Sequence, residues 1–391
     1  MKKTVATLLA ATILSSPAFA ESVKIGFVTT LTTGGAVIGN DMKNAVDLAM
    51  EHLGGMAGDT QLEVIYGDDQ FSPEAGKQVT DKLVKQDNVD FVAGYIWSNV
   101  LLASLNSVVN EDTFLISANA GPSQIAGVLC NENFFSTSWQ NDQTPMAMGE
   151  VLNQLGVKSL YVMAPNYAAG NDMVAGVERT FQGEILGKDL TKWGADAQLD
   201  FSAELAKAKA SGAEGLFVFY PGAAGGAFIR QYDQLGLSET LPLYSVFTVD
   251  ALSLPRPADA GSTLCLGPHP AGMGTHRRSP SQQRFVADFK AKYGGYPSYY
   301  GAQAYDAIML IASAVEAVGG NMDDMDAVRA ALKAADFDSV RGDFRFGNNH
   351  MPIQDFYLRE VVIDDDGVWT TKVVQTVFED HQDIYAEQCK M

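Results

Sequence analysis

The sequence predicts an α/β protein in which two parallel, doubly wound sheets follow one another along the chain. Three observations predict it. Short apolar runs alternate with stretches of helical period, strand–helix–strand–helix, the pattern of parallel sheets covered by helices. The alternation stops near Trp139 and begins again. The chain has 391 residues, beyond the ~250–300 at which a single core stops growing.

In order, Val23–Val28 is a strand-like run, followed by the turn-rich Thr32-Thr33-Gly34-Gly35. Gly39 to Leu53 carries Met42, Ala45, Val46, Ala49, Met50 and Leu53 at helical spacing. Leu62–Tyr66 is the next strand. Ser72-Pro73-Glu74 opens a helix to Lys85, with Ser as the cap and Pro at the first position. Phe91–Gly94 is a buried strand, Ser98–Asn110 a helix and Phe114–Ser117 a strand. After Trp139 the series is helix 143–155, strand Ser159–Met163, helix 170–186 and a short strand near Thr191–Trp193. Helix Phe201–Ser211, strand Gly215–Tyr220, helix Gly225–Leu235 and strand Leu243–Val246 complete it. Helices at Phe285–Tyr293, Gly301–Val318 and Met325–Ala335 come next. The end is β-rich: Phe344–Phe346, Phe356–Ile363 and Trp369–Val374, the last two joined by a turn at Asp364-Asp365-Asp366-Gly367.

Residues 1–20 have the form of a secretory signal peptide. Lys2 and Lys3 precede an apolar stretch, Val5–Leu14, and Ala18-Phe19-Ala20 is a small-residue cleavage site. The stretch is shorter than the ~20 residues of a membrane-spanning helix. The formal net charge of −20 argues against nucleic acid and anionic membranes as partners. Hydrophobic residues make up 47% and charged residues 19%, a composition with apolar surface enough for a packed core. No dinucleotide fingerprint, P-loop or nucleophile elbow occurs, and the five His have no Cys or Ser partner at a known spacing. An enzyme is therefore the rival class rather than the expectation, and no cofactor or metal is implied.

Val23–Val46 (VKIGFVTTLTTGGAVIGNDMKNAV), Phe91–Ser98 (FVAGYIWS), Phe114–Ala120 (FLISANA) and Tyr293–Pro297 (YGGYP), with the helix start at Gly301–Asp306, resemble type I periplasmic binding proteins. The subgroup resembled is the leucine/isoleucine/valine-binding family of ABC importers. That resemblance implies two Rossmann-like doubly wound lobes joined by three crossing strands, with a ligand cleft between them. The lobes would be 21–138 plus 281–343 and 139–280 plus 344–391. It also implies a monomeric periplasmic protein that captures a small carboxylate ligand and hands it to a membrane permease. A sensor or receptor domain without a transport role, or a hydrolase using the same cleft, is the alternative.

On the resemblance, Ser98 and Asn99, at a helix start, and the loop Asn119-Ala120-Gly121 would hold the ligand carboxylate. Free N–H groups at a helix N-terminus favour an anion. Trp97, with Tyr95, would give an apolar wall, Trp139 and Gln140 would face the cleft, and Tyr167 would stack on the ligand. Amino-acid binders of the family supply an acid after the strand that ends here at Val246. This chain has Phe247-Thr248-Val249-Asp250 there, so Phe247 fills the slot and Asp250 is the nearby acid, with helix capping as its other role. An unpaired ammonium in a closed cleft is costly, so an aromatic monocarboxylate competes with an apolar amino acid as the ligand.

Residues 255–284 (PRPADAGSTLCLGPHPAGMGTHRRSPSQQR) break the pattern. They hold four of the ten Arg and five of the 14 Pro, with no Phe, Tyr, Trp, Ile or Val. Pro excludes helix interiors and the stretch lacks β-formers, although a helix and a crossing strand are expected there. A shifted reading frame restored near Gln283 would account for it, a genuine long Pro-rich loop being the alternative. Setting Cys265 aside leaves Cys130 and Cys389 as an expected disulfide.

Overall fold

The structure, a computed structural model, describes residues 22–254, the backbone of 271–274, 279–342 and 345–391. The expected signal peptide, Cys265 and most of 255–284 lie outside the described residues, and with them the shifted-frame expectation.

The first half comprises β1 (Val23–Thr29), α1 (Ala36–Leu53), β2 (Met56–Ala57), β3 (Thr60–Asp68), α2 (Pro73–Lys85), β4 (Phe91–Gly94), α3 (Ser98–Val109), β5 (Phe114–Ser117), α4 (Ser123–Ala126) and β6 (Phe134–Ser136). Its sheet has the order β2-β3-β1-β4-β5-β6. All pairs are parallel except the β2–β3 hairpin. Strands β4 and β5 are buried at every residue, which is why they read as unbroken apolar runs rather than alternating ones.

The second half brings α5 (Gln143–Gln154), β7 (Ser159–Pro165), α6 (Ala168–Thr180), β8 (Glu184–Thr191), α7 (Ser202–Ala210), β9 (Gly215–Val218), α8 (Ala223–Gln234), β10 (Leu243–Val246) and β11 (Ala271–Gly274). The chain then returns to the first sheet as α9 (Pro280–Tyr293), α10 (Tyr299–Ala317) and α11 (Met325–Ala334). Helices α9 and α10 pack on α1, and α11 packs on α10. It ends in the second sheet with β12 (Arg345–Phe346), β13 (Pro352–Ile363) and β14 (Trp369–His381). That sheet runs β12-β13-β11-β10-β9-β7-β8, with β14 antiparallel on β13. The chain thus crosses three times between two doubly wound lobes, the type I periplasmic binding protein fold.

The crossings are tied together by one buried ion pair. Arg341 Nε donates to Asp306 Oδ2 at 3.0 Å, and Arg341 Nη1 reaches Ser138 O and Gln354 Oε1, each at 3.1 Å. Both charges are fully enclosed, so removing either partner leaves the other buried and unpaired. Beside this hinge, Cys130 and Cys389 are bonded, with Cα atoms 5.6 Å apart.

Several elements differ from the sequence expectation: β2, α4 and β6 are absent from it, and others have different bounds. The helix expected over 170–186 ends at Thr180, and β8 occupies Glu184–Thr191 in place of a short strand near 191–193. Burial alternates along β8, the period of an edge strand. At Gly183 the backbone passes so close to Lys158 that a Cβ would lie 2.5 Å from its carbonyl oxygen. The helix expected from Phe285 starts at Pro280, because Ser279 caps it by accepting from Gln282 N at 3.1 Å. The end of the odd stretch, 280–284, is thus an ordinary helix start. Finally, β14 runs to His381, well past Val374, paired along its length with β13.

Candidate functional site

A cavity between the lobes is lined by Ile96, Trp97, Ser98, Asn119, Ala120, Trp139, Asn141, Tyr167, Ala169, Met173, Phe219, Pro221, Phe247 and Tyr300. Its walls come from the carboxyl ends of strands in both lobes, where ligands of open α/β sheets bind. In this closed arrangement the cavity is about 10 Å³, the room of a single water, so a ligand enters as the walls part. A larger cavity, about 1250 Å³, is walled by Asp250, Ala251, Gln282 and Gln283 among others. Those residues flank 255–278, so its extent depends on chain outside the described residues.

Geometry begins at the end of β4. Tyr95 takes a left-handed backbone, φ 64°, and turns the chain into α3. Its hydroxyl lies 2.7 Å from Thr80 Oγ1 and its side chain is fully buried. Tyr95 is therefore core of the first lobe, not cleft wall. Trp97 is the wall. Its Nε1 donates to Thr30 Oγ1 at 2.8 Å, and Thr30 donates on to Asp69. Burial pushes the Asp69 carboxyl up to about 6.

Trp97 is also the residue that precedes α3, and its side chain makes no capping bond. The first N–H groups of the helix, at Ser98 and Asn99, are thus left for another acceptor. Ser98 Oγ accepts from Asn141 Nδ2 at 3.1 Å, which keeps the serine's own O–H available. Ser98, with its hydroxyl, lines the cavity at this uncapped helix start, an arrangement suited to a carboxylate.

The second loop works differently from the sequence expectation. Ala120 N already donates to Tyr95 O at 3.0 Å, and Gly121 N to Asn141 Oδ1 at 3.3 Å. Neither N–H is free for a ligand. Gly121 is absent from the cavity wall; a Cβ there would lie 1.9 Å from Trp139 O, so glycine serves close packing of the first crossing. Asn119 Nδ2 is held by Ile96 O at 2.7 Å.

Asn99 leaves the cavity altogether. Its Oδ1 accepts from Ala168 N at 3.0 Å, capping the start of α6 in the other lobe. Asp172 of α6 reaches back, accepting from Ser123 Oγ at 2.9 Å and Asn141 Nδ2 at 2.9 Å. Burial pushes its carboxyl up to about 6. Both contacts fasten the lobes.

Aromatic rings supply the rest of the wall. Trp139 and Phe247 stack at 4.3 Å and 11°. Phe247, like Tyr95, directly follows a strand and has a positive φ, 55°, a conformation that costs a bulky residue energy and recurs at ligand clamps. Phe219 meets Phe247 edge-on at 6.2 Å. Behind Trp97 and Tyr167 lie Phe71 and Trp193, neither marked by the sequence: Phe71 stacks on Trp97 and Trp193 on Tyr167.

Asp250 does not line this cavity. Its Oδ1 accepts from Leu252 N at 2.8 Å and Ser253 N at 3.1 Å, so it caps a turn, and burial with the nearby Asp41 raises its pKa to about 7. Gln140 is likewise turned inward, donating to Asp142 Oδ1 at 2.9 Å. The structure thus gathers Trp97, Ser98, Asn119, Ala120, Trp139, Tyr167 and Phe247 and leaves out Asn99, Gly121 and Asp250. Sequence reasoning missed Asn141, Phe219 and Tyr300. Phe219 was read as part of the strand Gly215–Tyr220, whereas β9 ends at Val218 and leaves it at the strand end, as Phe247 follows β10; nothing local marks Tyr300. Among the described residues no cluster of His, Cys, Asp or Glu could hold a metal, and no helix is long and apolar enough to cross a membrane.

Comparison with known proteins follows this geometry. The family model described as periplasmic binding protein matches residues 22–367. A Leu/Ile/Val-binding protein homolog 6 of Brucella abortus (strain 2308) is 28% identical over 394 residues, spanning 96% of this chain and 97% of that protein. A solute-binding protein of an ABC transporter from R. palustris, solved with benzoate, superposes with a TM-score of 0.86. It is 26% identical, covering 95% of this chain and 100% of the other. A second, from Rhodopseudomonas palustris BisB5 with 3,4-dihydroxybenzoic acid, has a TM-score of 0.83 and 25% identity, covering 93% and 99%.

Proposed function

Because this chain belongs to the periplasmic binding protein family, whose solved relatives include ABC-transporter solute-binding proteins, we propose that it captures a small aromatic monocarboxylate in the periplasm for import. One observation carries this reading. Among the described residues the cavity wall has no Asp, Glu, Lys, Arg or His, and it has six aromatic side chains and the open N-terminus of α3. A carboxylate has donors there at Ser98 and the α3 N-terminus; an ammonium has no counter-charge among the described wall residues, since Asp250 caps a turn elsewhere and Asp172 is held by Ser123 and Asn141. An unpaired ammonium in that wall is disfavoured by several kcal/mol, on the order given for buried charges. The benzoate and dihydroxybenzoate carried by the two R. palustris proteins support the same class.

In this reading Ser98 binds one carboxylate oxygen through its hydroxyl, and the α3 N–H groups bind the other. Trp97, Trp139, Tyr167 and Phe247 enclose the ring, and Asn119 and Ala120 shape the floor. The protein acts as a monomer without catalysis or cofactor. The lobes, 21–138 plus 281–343 and 139–280 plus 344–391, close by hinge motion at the crossings. The closed form is what an inner-membrane permease engages. Secretion follows from the signal peptide of residues 1–20.

A thermal-shift series tests it, since a ligand that binds only the folded state raises the melting temperature. Benzoates should stabilise the protein, and chromatography should recover them unchanged. Stabilisation by leucine, isoleucine or valine alone would move the ligand to the amino-acid class; consumption of the benzoate would make the protein an enzyme.

A further inference from the structure

We propose that Tyr300 is a specificity residue, whose hydroxyl hydrogen-bonds a polar substituent on the ligand ring, so that hydroxylated aromatic carboxylates are preferred to benzoate. This rests on the aromatic-acid reading above and goes beyond it.

Tyr300 is the second residue of α10 and lines the cavity at 2% exposure. Its Oη is buried and has no hydrogen-bond partner among the described residues. A buried tyrosine hydroxyl ordinarily finds a partner, because water no longer serves it. The wall offers none. Phe219, Phe247, Trp139 and Met173 carry no strong acceptor, Asn141 Oδ1 already accepts from Gly121 N, and the remaining polar wall residues, Ser98, Asn119 and Tyr167, make no hydrogen bond to Oη. Tyr300 lines the ligand site, so a bound ligand is the partner that can meet this hydroxyl.

Electrostatics orients the ligand. Tyr300 senses the Asp250 carboxyl, and burial holds the phenol well above its ordinary titration range, hence neutral and able to donate. A ligand carboxylate goes to the α3 N-terminus, which attracts negative charge. The ring then carries its remaining substituent towards Tyr300. A hydroxyl there satisfies Oη; a bare ring edge leaves it unpaired. Sites built to hydrogen-bond a ligand hydroxyl discriminate strongly against analogues lacking it.

Calorimetry with benzoate, 3-hydroxybenzoate and 4-hydroxybenzoate on the wild type and on Tyr300→Phe tests the assignment. At least one hydroxybenzoate should bind the wild type about tenfold or more tighter than benzoate. In Tyr300→Phe, which loses only Oη, the ratio of the two dissociation constants should fall towards one. That ratio is insensitive to a general loss of folded protein, so it separates recognition from a structural role. Equal wild-type affinity for benzoate and both hydroxybenzoates overturns the assignment, as does an unchanged ratio in the variant; in both cases the aromatic-acid reading survives. Absence of binding by all three acids overturns that reading, and the assignment with it.

Discussion

Phe71 lies face to face on Trp97, ring centroids 3.9 Å apart and planes 18° from parallel. Phe71 has a left-handed backbone, φ 64°, which aims its ring back at the cleft. From the other lobe Trp193 stacks on Tyr167 at 4.7 Å and meets Phe71 edge-on at 5.2 Å. Four rings from two lobes thus form a clasp behind the cavity, two of them touching its contents.

Removing one outer ring should loosen the clasp without touching the ligand. Each aromatic pair contributes roughly 0.5–1.5 kcal/mol beyond area burial. Trp193→Ala should therefore weaken ligand binding roughly two- to tenfold per pair lost, expressed in the off-rate. Stopped-flow dissociation measures it; an unchanged off-rate would mean that the clasp does not hold the closed form.

Ser98→Ala removes a hydroxyl aimed at a charged group. Bonds of that kind are worth about 1.5–3 kcal/mol, so affinity should drop about ten- to a hundredfold or below detection. Circular dichroism melting should confirm a folded variant. Undiminished affinity would place the carboxylate elsewhere.

Asp250 gives a pH signature. Its folded-state pKa of about 7 lies above the ordinary aspartate value because of burial. Below pH ~4 the group is protonated folded or unfolded and costs nothing. Between there and about 7 the unfolded chain releases the proton first, so stability falls as pH rises, and the loss is complete above that window. Asp250→Asn keeps the acceptor for Leu252 and Ser253 and should flatten this slope, gaining stability over wild type as pH rises. Aromatic-acid affinity should survive the change, because Asp250 is outside the cavity wall; an amine-bearing ligand that depended on Asp250 would lose affinity. Melting temperatures from pH 4 to 8, with calorimetry at neutral pH, read both.

The bond between Cys130 and Cys389 spans 259 residues of chain. A cross-link over a long loop typically adds about 2–4 kcal/mol by restricting the unfolded chain. Reduction, or Cys130→Ser with Cys389→Ser, should lower the melting temperature by several degrees and release the tail to proteolysis. A reductant-insensitive melt would show that the tail is held by its other contacts.

For residues 255–284, resequencing the coding DNA should show a neighbouring frame that encodes a helix and an apolar strand, with the original frame restored near Gln283. A chain rebuilt in that frame should melt higher than this one. If no neighbouring frame encodes such elements, the stretch is genuine.

Much of this protein was legible along the chain. Ser72-Pro73 starts a helix wherever it stands, because capping is local; its side chain accepts from Ala75 N at 3.4 Å. Runs such as Phe91–Gly94 announce strands buried on both faces. Trp97, Ser98 and Phe247 were legible only through resemblance, and they do meet at one cavity. Residues 181–186 misled because a helical spacing of apolar residues continues past Thr180, where pairing with β7 wins.

By itself, then, the sequence determined the doubly wound class, the two α/β units in series, and that Phe247 and Thr248 rather than an acid directly follow Val246. Those depend on period, caps and residue type, which are local. The tertiary structure alone decided that Asn99 caps the other lobe, that the Ala120 and Gly121 N–H groups are spent within the fold, that Asp250 caps a turn, and that Tyr300 reaches the cavity with its hydroxyl unmet. Each of these turns on which partner arrives from a distant part of the chain. A hydrogen-bonding group is free or taken only once that partner is in place.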